Sequence, residues 1–449
     1  MQEQEQHRER LQKFTAALEV GTLRQVGRMI NELHPAEIAL LLESLPPAQR
    51  SVVWELVDEE SDGEVLSHLN DEVRAKLLEE YDASEVVAAT EGLEDDDIAD
   101  ILQDLPDTVI REVLNSLDKQ DRQRIEAVLS YPEDTAGGLM STDTLTVRPD
   151  VTLDVVLRYL RMRGDIPELT DNLIVVNRND RYLGLLSLTD LLTKDPALRV
   201  GQVMERDVEG IPADLPAAEV AKRFEQRDLI SAPVVDEHRK LLGRITVDDV
   251  VDVIKETADQ RLLSMAGLDE EEDLFAPVLA STRRRAIWLG VNLVTAFLAS
   301  WVIGLFEATL DKVVALAVLM PIVASMGGNA GTQTLTLTIR GLALGQVGGA
   351  NATWLLAREL AVGTLNGVLW ALIVAAVAIA WFGDYSIGLI IGLAMIINLV
   401  AAALAGLTIP LLLKRLGIDP ALAGTVALTT VTDVVGFLAF LGLASLYLL

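Results

Sequence analysis

Met320-Pro-Ile-Val-Ala-Ser-Met-Gly-Gly-Asn-Ala-Gly-Thr-Gln-Thr334 lies inside an apolar run, about 313–339. Crossing a bilayer takes ~20 mostly apolar residues, so this run is long enough to span one. Gly327, Gly328 and Gly331 remove side chains at membrane depth, while Asn329 and Gln333 add polar groups there. Small residues alone would read as close helix packing. Packing does not explain amides beside the glycines, and loosened backbone inside a bilayer persists only where it is buried in protein or lines a wet cavity. Pro321, Gly327, Gly328, Asn329, Gly331 and Thr332 are therefore read as pore lining, with a break in the helix expected at the glycines.

Four further runs of spanning length flank this one, at about 286–306, 357–382, 387–413 and 422–447. Buried helices of a soluble protein usually carry only ~10–14 apolar residues, which sets that alternative aside. Arg283, Arg284 and Arg285 precede the first run, Arg340 and Arg358 lie between the second and third, and Lys414 and Arg415 between the fourth and fifth. The alternate loops hold Glu307, Asp311, Lys312 and Asp384. The positive-inside rule then predicts a cytosolic N-terminal half and an external C-terminus. The fifth run reads Ala427-Leu-Thr-Thr-Val-Thr-Asp433-Val-Val-Gly-Phe, with no basic residue to pair with Asp433. A carboxylate at that depth costs at least ~2.5–3.5 kcal/mol, so Asp433 is a cation-site candidate, with Thr429, Thr430 and Thr432 expected on the same face and Thr429 read as pore lining.

The chain has 449 residues, is half hydrophobic, and carries a formal charge of −30. Residues 286–449 hold six acids and five bases, so nearly all the negative charge falls on residues 1–285. A cation is the favoured partner; nucleic acid is excluded for want of clustered Lys and Arg. No cysteine is present, which removes thiolate chemistry, and the four histidines (His7, His34, His68, His238) are too widely spaced for a zinc site. No Walker loop appears and no catalytic constellation is found, so neither a pump nor an enzyme is expected. The opening Met-Gln-Glu-Gln-Glu-Gln-His-Arg lacks an apolar run, and no secretory signal is expected.

The N-terminal half repeats itself twice. Asn172-Leu-Ile-Val-Val-Asn, a turn, and Tyr182-Leu-Gly-Leu-Leu-Ser-Leu-Thr-Asp-Leu-Leu recur as Ala232-Pro-Val-Val-Asp, a turn, and Leu241-Leu-Gly-Arg-Ile-Thr-Val-Asp-Asp-Val-Val. Without a gap, Val175 falls on Val234, Gly184 on Gly243, Ser187 on Thr246 and Asp190 on Asp249. Each copy predicts strand, turn, strand and a helix opening on an acid, preceded by an amphipathic helix at about 152–163 or 217–227. This resembles a tandem pair of cystathionine-β-synthase-type (CBS) domains over roughly 137–256. The resemblance implies that Ser187 with Asp190, or Thr246 with Asp249, could hold ATP or another adenine nucleotide; the alternative is that they cap the following helix. Upstream, Leu33, Ile38, Ala39, Leu42, Leu45 and Pro46 recur as Leu93, Ile98, Ala99, Leu102, Leu105 and Pro106. Helical spacing between prolines predicts a solenoid of short helices over 8–131. A helix over 250–277 should link the second CBS copy to the membrane, its Asp269–Asp273 stretch being a solvated turn.

Together, in this order, the CBS pair, the Pro321-to-Gln333 stretch, Thr-Thr-Val-Thr-Asp433 and five spans resemble the MgtE family of bacterial Mg²⁺ channels over nearly the whole chain. The expected fold is multidomain: an all-α superhelical domain (1–131), an α/β tandem CBS pair (132–256), a connecting plug-like helix and linker (257–285) and an all-α five-helix transmembrane domain (286–449). The resemblance implies a Mg²⁺-selective channel in the bacterial cytoplasmic (inner) membrane, in which two subunits enclose one pore and the Asp433 position holds the cation. It places Thr332 where some members carry Asn. Electrostatics point the same way for the acidic half, since divalent cations shared between carboxylates would offset its self-repulsion and favour a compact, closed state. The expected regulatory ligands are Glu59; Asp96, Asp97 and Asp100; Asp228; Asp249 and Asp252; and Asp259. The resemblance expects further acids where this chain has Thr257, Ala258 and Gln260. A secondary transporter coupling a divalent cation to H⁺ or Na⁺ is the alternative.

Overall fold

The computed structural model describes residues 23–79, 81–164, 166–268, 273–348 and 351–448. The opening octapeptide, solenoid residues 8–22 and Asp269–Glu272 lie outside the described residues. Two compact units form, one within Met1–Ala258 and Glu271–Ala276, the other within Asp259–Glu270 and Pro277–Leu449.

The first unit opens with nine short helices among the described residues: α1 (Leu23–Ile30), α2 (Pro35–Glu43), α3 (Pro47–Trp54), α4 (Asp62–Ser67), α5 (Asp71–Leu78), α6 (Ala83–Ala89), α7 (Asp95–Gln103), α8 (Asp107–Ser116) and α9 (Lys119–Leu129). Proline starts helices here because its missing N–H would have no partner in a first turn. Pro35 opens α2, Pro46 and Pro47 open α3, and Pro106 caps α8. The repeated positions Ile38, Ala39, Leu42 and Leu45, and Ile98, Ala99, Leu102 and Leu105, are all buried.

Two three-stranded sheets follow. The first contains β1 (Thr146–Val147), β2 (Asn172–Val176) and β3 (Tyr182–Ser187), with α10 (Leu153–Arg163) between β1 and β2, then α11 (Leu188–Thr193) and α12 (Val200–Val203). The second contains β4 (Ile211–Pro212), β5 (Ser231–Val235) and β6 (Leu241–Thr246), with α13 (Ala217–Arg227) between β4 and β5. In each, the short strand runs parallel to the middle one and the hairpin is antiparallel. Val175 pairs with Gly184 as Val234 pairs with Gly243, so the sequence repeat is a structural one. Glycine is needed at the second of these because a Cβ on Gly243 would sit 2.6 Å from the Ser141 carbonyl oxygen. Ala99 and Val128 of the helical domain belong to the core of the second CBS copy, so the two share one apolar interior.

The linking helix differs from its predicted span. α14 (Val247–Met265) starts directly after β6 and ends well before residue 277. Gly267, at φ +72°, supplies the left-handed turn just beyond it.

The second unit holds α15 (Val278–Gly304), α16 (Glu307–Lys312), α17 (Val314–Ala343), α18 (Ala352–Phe382), α19 (Tyr385–Arg415) and α20 (Pro420–Leu448). All but α16 are long and apolar enough to cross a membrane. Several extend beyond the apolar runs; α15 begins at Val278 and takes in Arg283–Arg285. At 1.5 Å per residue, helices of 27–31 residues exceed a ~30 Å hydrocarbon layer, so their polar ends remain helical outside it. α19 is the central helix, packed by α17, α18 and α20.

The expected break in α17 is absent. The helix runs unbroken through Pro321 and all three glycines. Helical hydrogen bonds remain the cheapest way to satisfy the backbone in this setting, and neighbouring helices can accommodate proline.

Candidate functional site: a polar helix stripe and an acidic interface

Along α17, Pro321, Ser325, Asn329, Gln333 and Thr336 are exposed, with Gly328 and Thr332 partly so. Their spacing of three to four residues places them on one face. Gly328 has no atom within 4 Å of where a Cβ would stand. The Thr332 hydroxyl donates to the Gly328 carbonyl at 2.9 Å, leaving its lone pairs available.

Gly327 and Gly331 do something else. A Cβ on Gly327 would run into the Asn398 amide, and one on Gly331 would lie 2.8 Å from Leu428. Both glycines are buried, serving close contact with α19 and α20 within the same chain. On α20, Asp433 is partly exposed and forms no ion pair or hydrogen bond among the described residues. Thr429 donates to the carbonyls of Thr425 and Val426, and Thr430 to that of Val426, so these hydroxyls are tied to their own helix. One buried acid was not singled out from sequence. Glu359 on α18 receives hydrogen bonds from Arg358 at 2.5 Å and from Thr334 of α17 at 3.2 Å. It sits among residues that scored only as the start of an apolar run.

In the first unit, α7 presents its acids to the second CBS copy. Asp96 is only 7 % exposed, and its Oδ1 has no hydrogen-bond partner. Burial, with Asp249 and Asp97 close by, holds the Asp96 carboxyl far above the usual carboxylate range. Burial pushes Asp97 up to about 6, reinforced by Glu94, Asp248 and Asp252 and opposed by Arg74. Asp100 is pushed up to about 8 by burial and by Glu133, against the pull of Arg74. Asp249 rises to about 7 through burial and Asp248. Glu256 on α14 also rises to about 7, through crowding by surrounding protein and through Asp71, Asp252 and Glu133. Arg244 of β6 crosses the same boundary, reaching the Glu168 carbonyl at 2.9 Å and Glu94 at 3.5 Å.

The structure thus brings together Asp96, Asp97, Asp100, Asp249 and Asp252, along with Asp71, Glu133, Asp248 and Glu256. None of these last four stood among the predicted ligands, because which solenoid face meets which CBS strand is set by tertiary docking. Three predicted ligands stand apart. Glu59 is exposed on a single 3₁₀ turn, where it raises Asp62. Asp228 is the exposed left-handed cap of α13, and Asp259 is exposed on α14. Among the described residues, no three of the acids converge as a metal cage.

The Ser/Thr-x-x-Asp motifs act as caps. Ser187 Oγ accepts from the Asp190 N–H at 3.0 Å. Thr246 donates both its N–H and its hydroxyl to Asp249, each at 3.0 Å. A cleft of about 350 Å³ lies elsewhere in the CBS pair, lined by Glu205, Asp207, Arg223, Arg227 and Ser231 among others.

Comparisons with known proteins agree in order and extent. Residues 33–134 match the MgtE intracellular N domain, 136–196 and 200–256 match CBS domains, and 320–443 match MgtE, described as a divalent cation transporter. The magnesium transporter MgtE of Thermus thermophilus is 33 % identical over 96 % of this chain and 97 % of its own. That of Bacillus subtilis is 27 % identical over 95 % of each. A solved cytosolic domain of the Mg²⁺ channel MgtE in complex with ATP is 35 % identical, with a TM-score of 0.49, covering 54 % of this chain and 99 % of its own. With five apolar helices of spanning length, this is a multi-pass membrane protein. The chain belongs to the MgtE family of divalent cation transporters.

Proposed function

We propose that this chain is a Mg²⁺-selective channel of the bacterial cytoplasmic membrane, working as a homodimer, with Asp433 as its ion site. One observation carries the reading: α17, which packs against the Asp433 helix α20, leaves Ser325, Asn329, Gln333 and Thr336 exposed along one face of a helix long and apolar enough to span a membrane. Such a stripe cannot face lipid without large cost. A second copy related by a two-fold axis would cover it, enclose a wet path and supply a second Asp433. Two carboxylates match the ion's charge, and Mg²⁺ usually keeps several waters while using one or two carboxylates. The relatives named magnesium transporters support the choice of ion. Basic residues at the ends of α17, α18 and α19 support a cytosolic N-terminus.

The acidic interface is the regulatory part of this proposal. Carboxylates raised to between about 6 and 8 are groups that gain from a shared cation. Hydrated Mg²⁺ between Asp96 and Asp249, or near Asp97, Asp100 and Asp252, would tighten the solenoid on the CBS pair when cytosolic Mg²⁺ is high. Exposed Glu59, Asp228 and Asp259 would serve as weaker ligands. An adenine nucleotide would take the cleft where Arg223 and Arg227, whose guanidinium groups suit phosphate, stand among Glu205, Asp207 and Glu209.

Planar-bilayer recording of the reconstituted full chain tests the proposal. A Mg²⁺ current reversing at the Mg²⁺ equilibrium potential, whatever the H⁺ and Na⁺ gradients, is expected. Transport that follows either gradient would replace the channel with a coupled exchanger.

A further inference from the structure

Asn398 is the polar side chain among the buried residues of α19, the central membrane helix, and it is 0 % exposed. An amide buried in apolar surroundings costs free energy unless its hydrogen bonds are made, and leucine would fill nearly the same volume without that cost. Asn398 makes a single side-chain hydrogen bond among the described residues. Its Nδ2 donates to the Val323 carbonyl of α17 at 2.8 Å, while its Oδ1 has no partner. Two glycines make room for it. On α17, a Cβ at Gly327 would stand 2.7 Å from the Asn398 Cγ; on α20, a Cβ at Gly436 would stand 2.7 Å from its Nδ2. One amide therefore fills a notch shared by three helices, and its size sets how closely α17 and α20 approach it.

Those two helices carry the candidate ion-path residues. Gly327 adjoins Gly328 and Asn329, and Gly436 lies one turn from Asp433. Mg²⁺ takes oxygens at about 2.0–2.1 Å and Ca²⁺ at about 2.3–2.6 Å, so a few tenths of an ångström in ligand spacing separates the two ions. Relieving or adding one contact at Asn398, where a Cβ on Gly327 or Gly436 would stand within 2.7 Å of the side chain, is expected to move its neighbours on that scale. We propose that Asn398 is a positioning residue of the ion path: it fixes the separation of α17 and α20 and thereby the discrimination between Mg²⁺ and Ca²⁺ at Asp433. This rests on the assignment of Asp433 as the ion site.

The test uses the full chain in proteoliposomes, reading Mg²⁺ and Ca²⁺ fluxes with ion-sensitive dyes and thermal stability in parallel. Asn398→Leu keeps the volume and loses the hydrogen bond; Asn398→Ala empties the notch. Both should reduce the Mg²⁺-to-Ca²⁺ flux ratio roughly tenfold, as expected for sub-ångström misplacement of a site. A role in stability alone would lower the melting temperature and leave that ratio at its wild-type value. Gly327→Ala should damage the wild-type background more than the Asn398→Ala background, where its Cβ enters vacated space. That double variant also carries the selectivity measurement if Asn398→Ala alone fails to fold. Wild-type flux ratios in both Asn398 variants, or equal effects of Gly327→Ala in both backgrounds, would overturn the proposal. Asp433→Asn runs alongside: its retaining wild-type selectivity would sink the ion-site assignment, whereas its losing selectivity while the Asn398 variants keep theirs would sink the positioning role only.

Discussion

Lowering the pH should stabilise the N-terminal unit when divalent cations are absent. Asp100 and Asp249 are held at about 8 and about 7, above the ordinary 3.8, chiefly by burial. A carboxylate with a raised folded-state value binds more protons folded than unfolded. Its contribution is full below the ordinary value and is lost as pH rises through the raised one. Between pH 8 and pH 6, Asp100 alone should return roughly 2 kcal/mol and Asp249 roughly 1 kcal/mol. Protonating either relieves the other acids, so the total falls short of simple addition. A gain of about 2–3 kcal/mol should raise the melting temperature by roughly 5–10 °C for a unit of this size.

Calorimetry of the detergent-solubilised chain in EDTA measures this directly. Asp100→Asn should melt higher than wild type at pH 8 and depend less on pH, because the amide needs no proton to be neutral. Saturating Mg²⁺ should also flatten the wild-type dependence, since cations then do what protons do at pH 6. A melting temperature that stays constant or falls from pH 8 to pH 6 in EDTA would refute the reasoning.

Other variants probe separate contacts. Arg50 and Asp273 form a buried pair at 3.0 Å, each side chain 2 % exposed, which ties the segment preceding α15 to the helical domain. Arg50→Ala strands that carboxylate, at a cost of about 3–5 kcal/mol; proteolysis near residue 273 should accelerate, and unchanged cleavage would contradict the tie. Gly328→Leu, on an open face, should block Mg²⁺ flux with little change in melting temperature, whereas Gly331→Leu, against Leu428, should lower stability as well. Normal flux through the Gly328 variant would remove that face from the ion path. Rising Mg²⁺ should protect wild type from protease and fail to protect Asp96/Asp100/Asp228/Asp252 to Ala; equal protection would leave the acids as solubilising charge.

Periodicity made the architecture readable in advance. The gapless repeat made it readable that the two hairpins share one register; which residues pair, Val175 with Gly184 and Val234 with Gly243, came from the structure. Five apolar runs located five helices, but Arg283–Arg285 ended the first run too early, since hydropathy reports the bilayer edge while hydrogen bonding sets the helix end. The glycine stretch misled in the other direction. Gly327 and Gly331 look like Gly328 in one dimension, yet they face Asn398 and Leu428 while Gly328 faces open space. Asp96 and Asp100 were readable as one helical face; Asp71 and Glu133 were not, because they reach it from other elements. Asn398 gave no signal beyond being one amide in an apolar run, its meaning resting on two glycines far away in sequence.

The proposed ion path depends most directly on the carboxylate of Asp433. Mg²⁺ uptake into proteoliposomes under an inward-negative potential compares wild type with Asp433→Asn, which keeps the shape and loses the charge. Uptake in the variant should fall by roughly tenfold or more, consistent with losing a charge interaction of a few kcal/mol inside a membrane. Its melting temperature should not fall, since the removed charge has no partner. Wild-type uptake with undiminished preference for Mg²⁺ over Ca²⁺ in that variant would contradict the central claim.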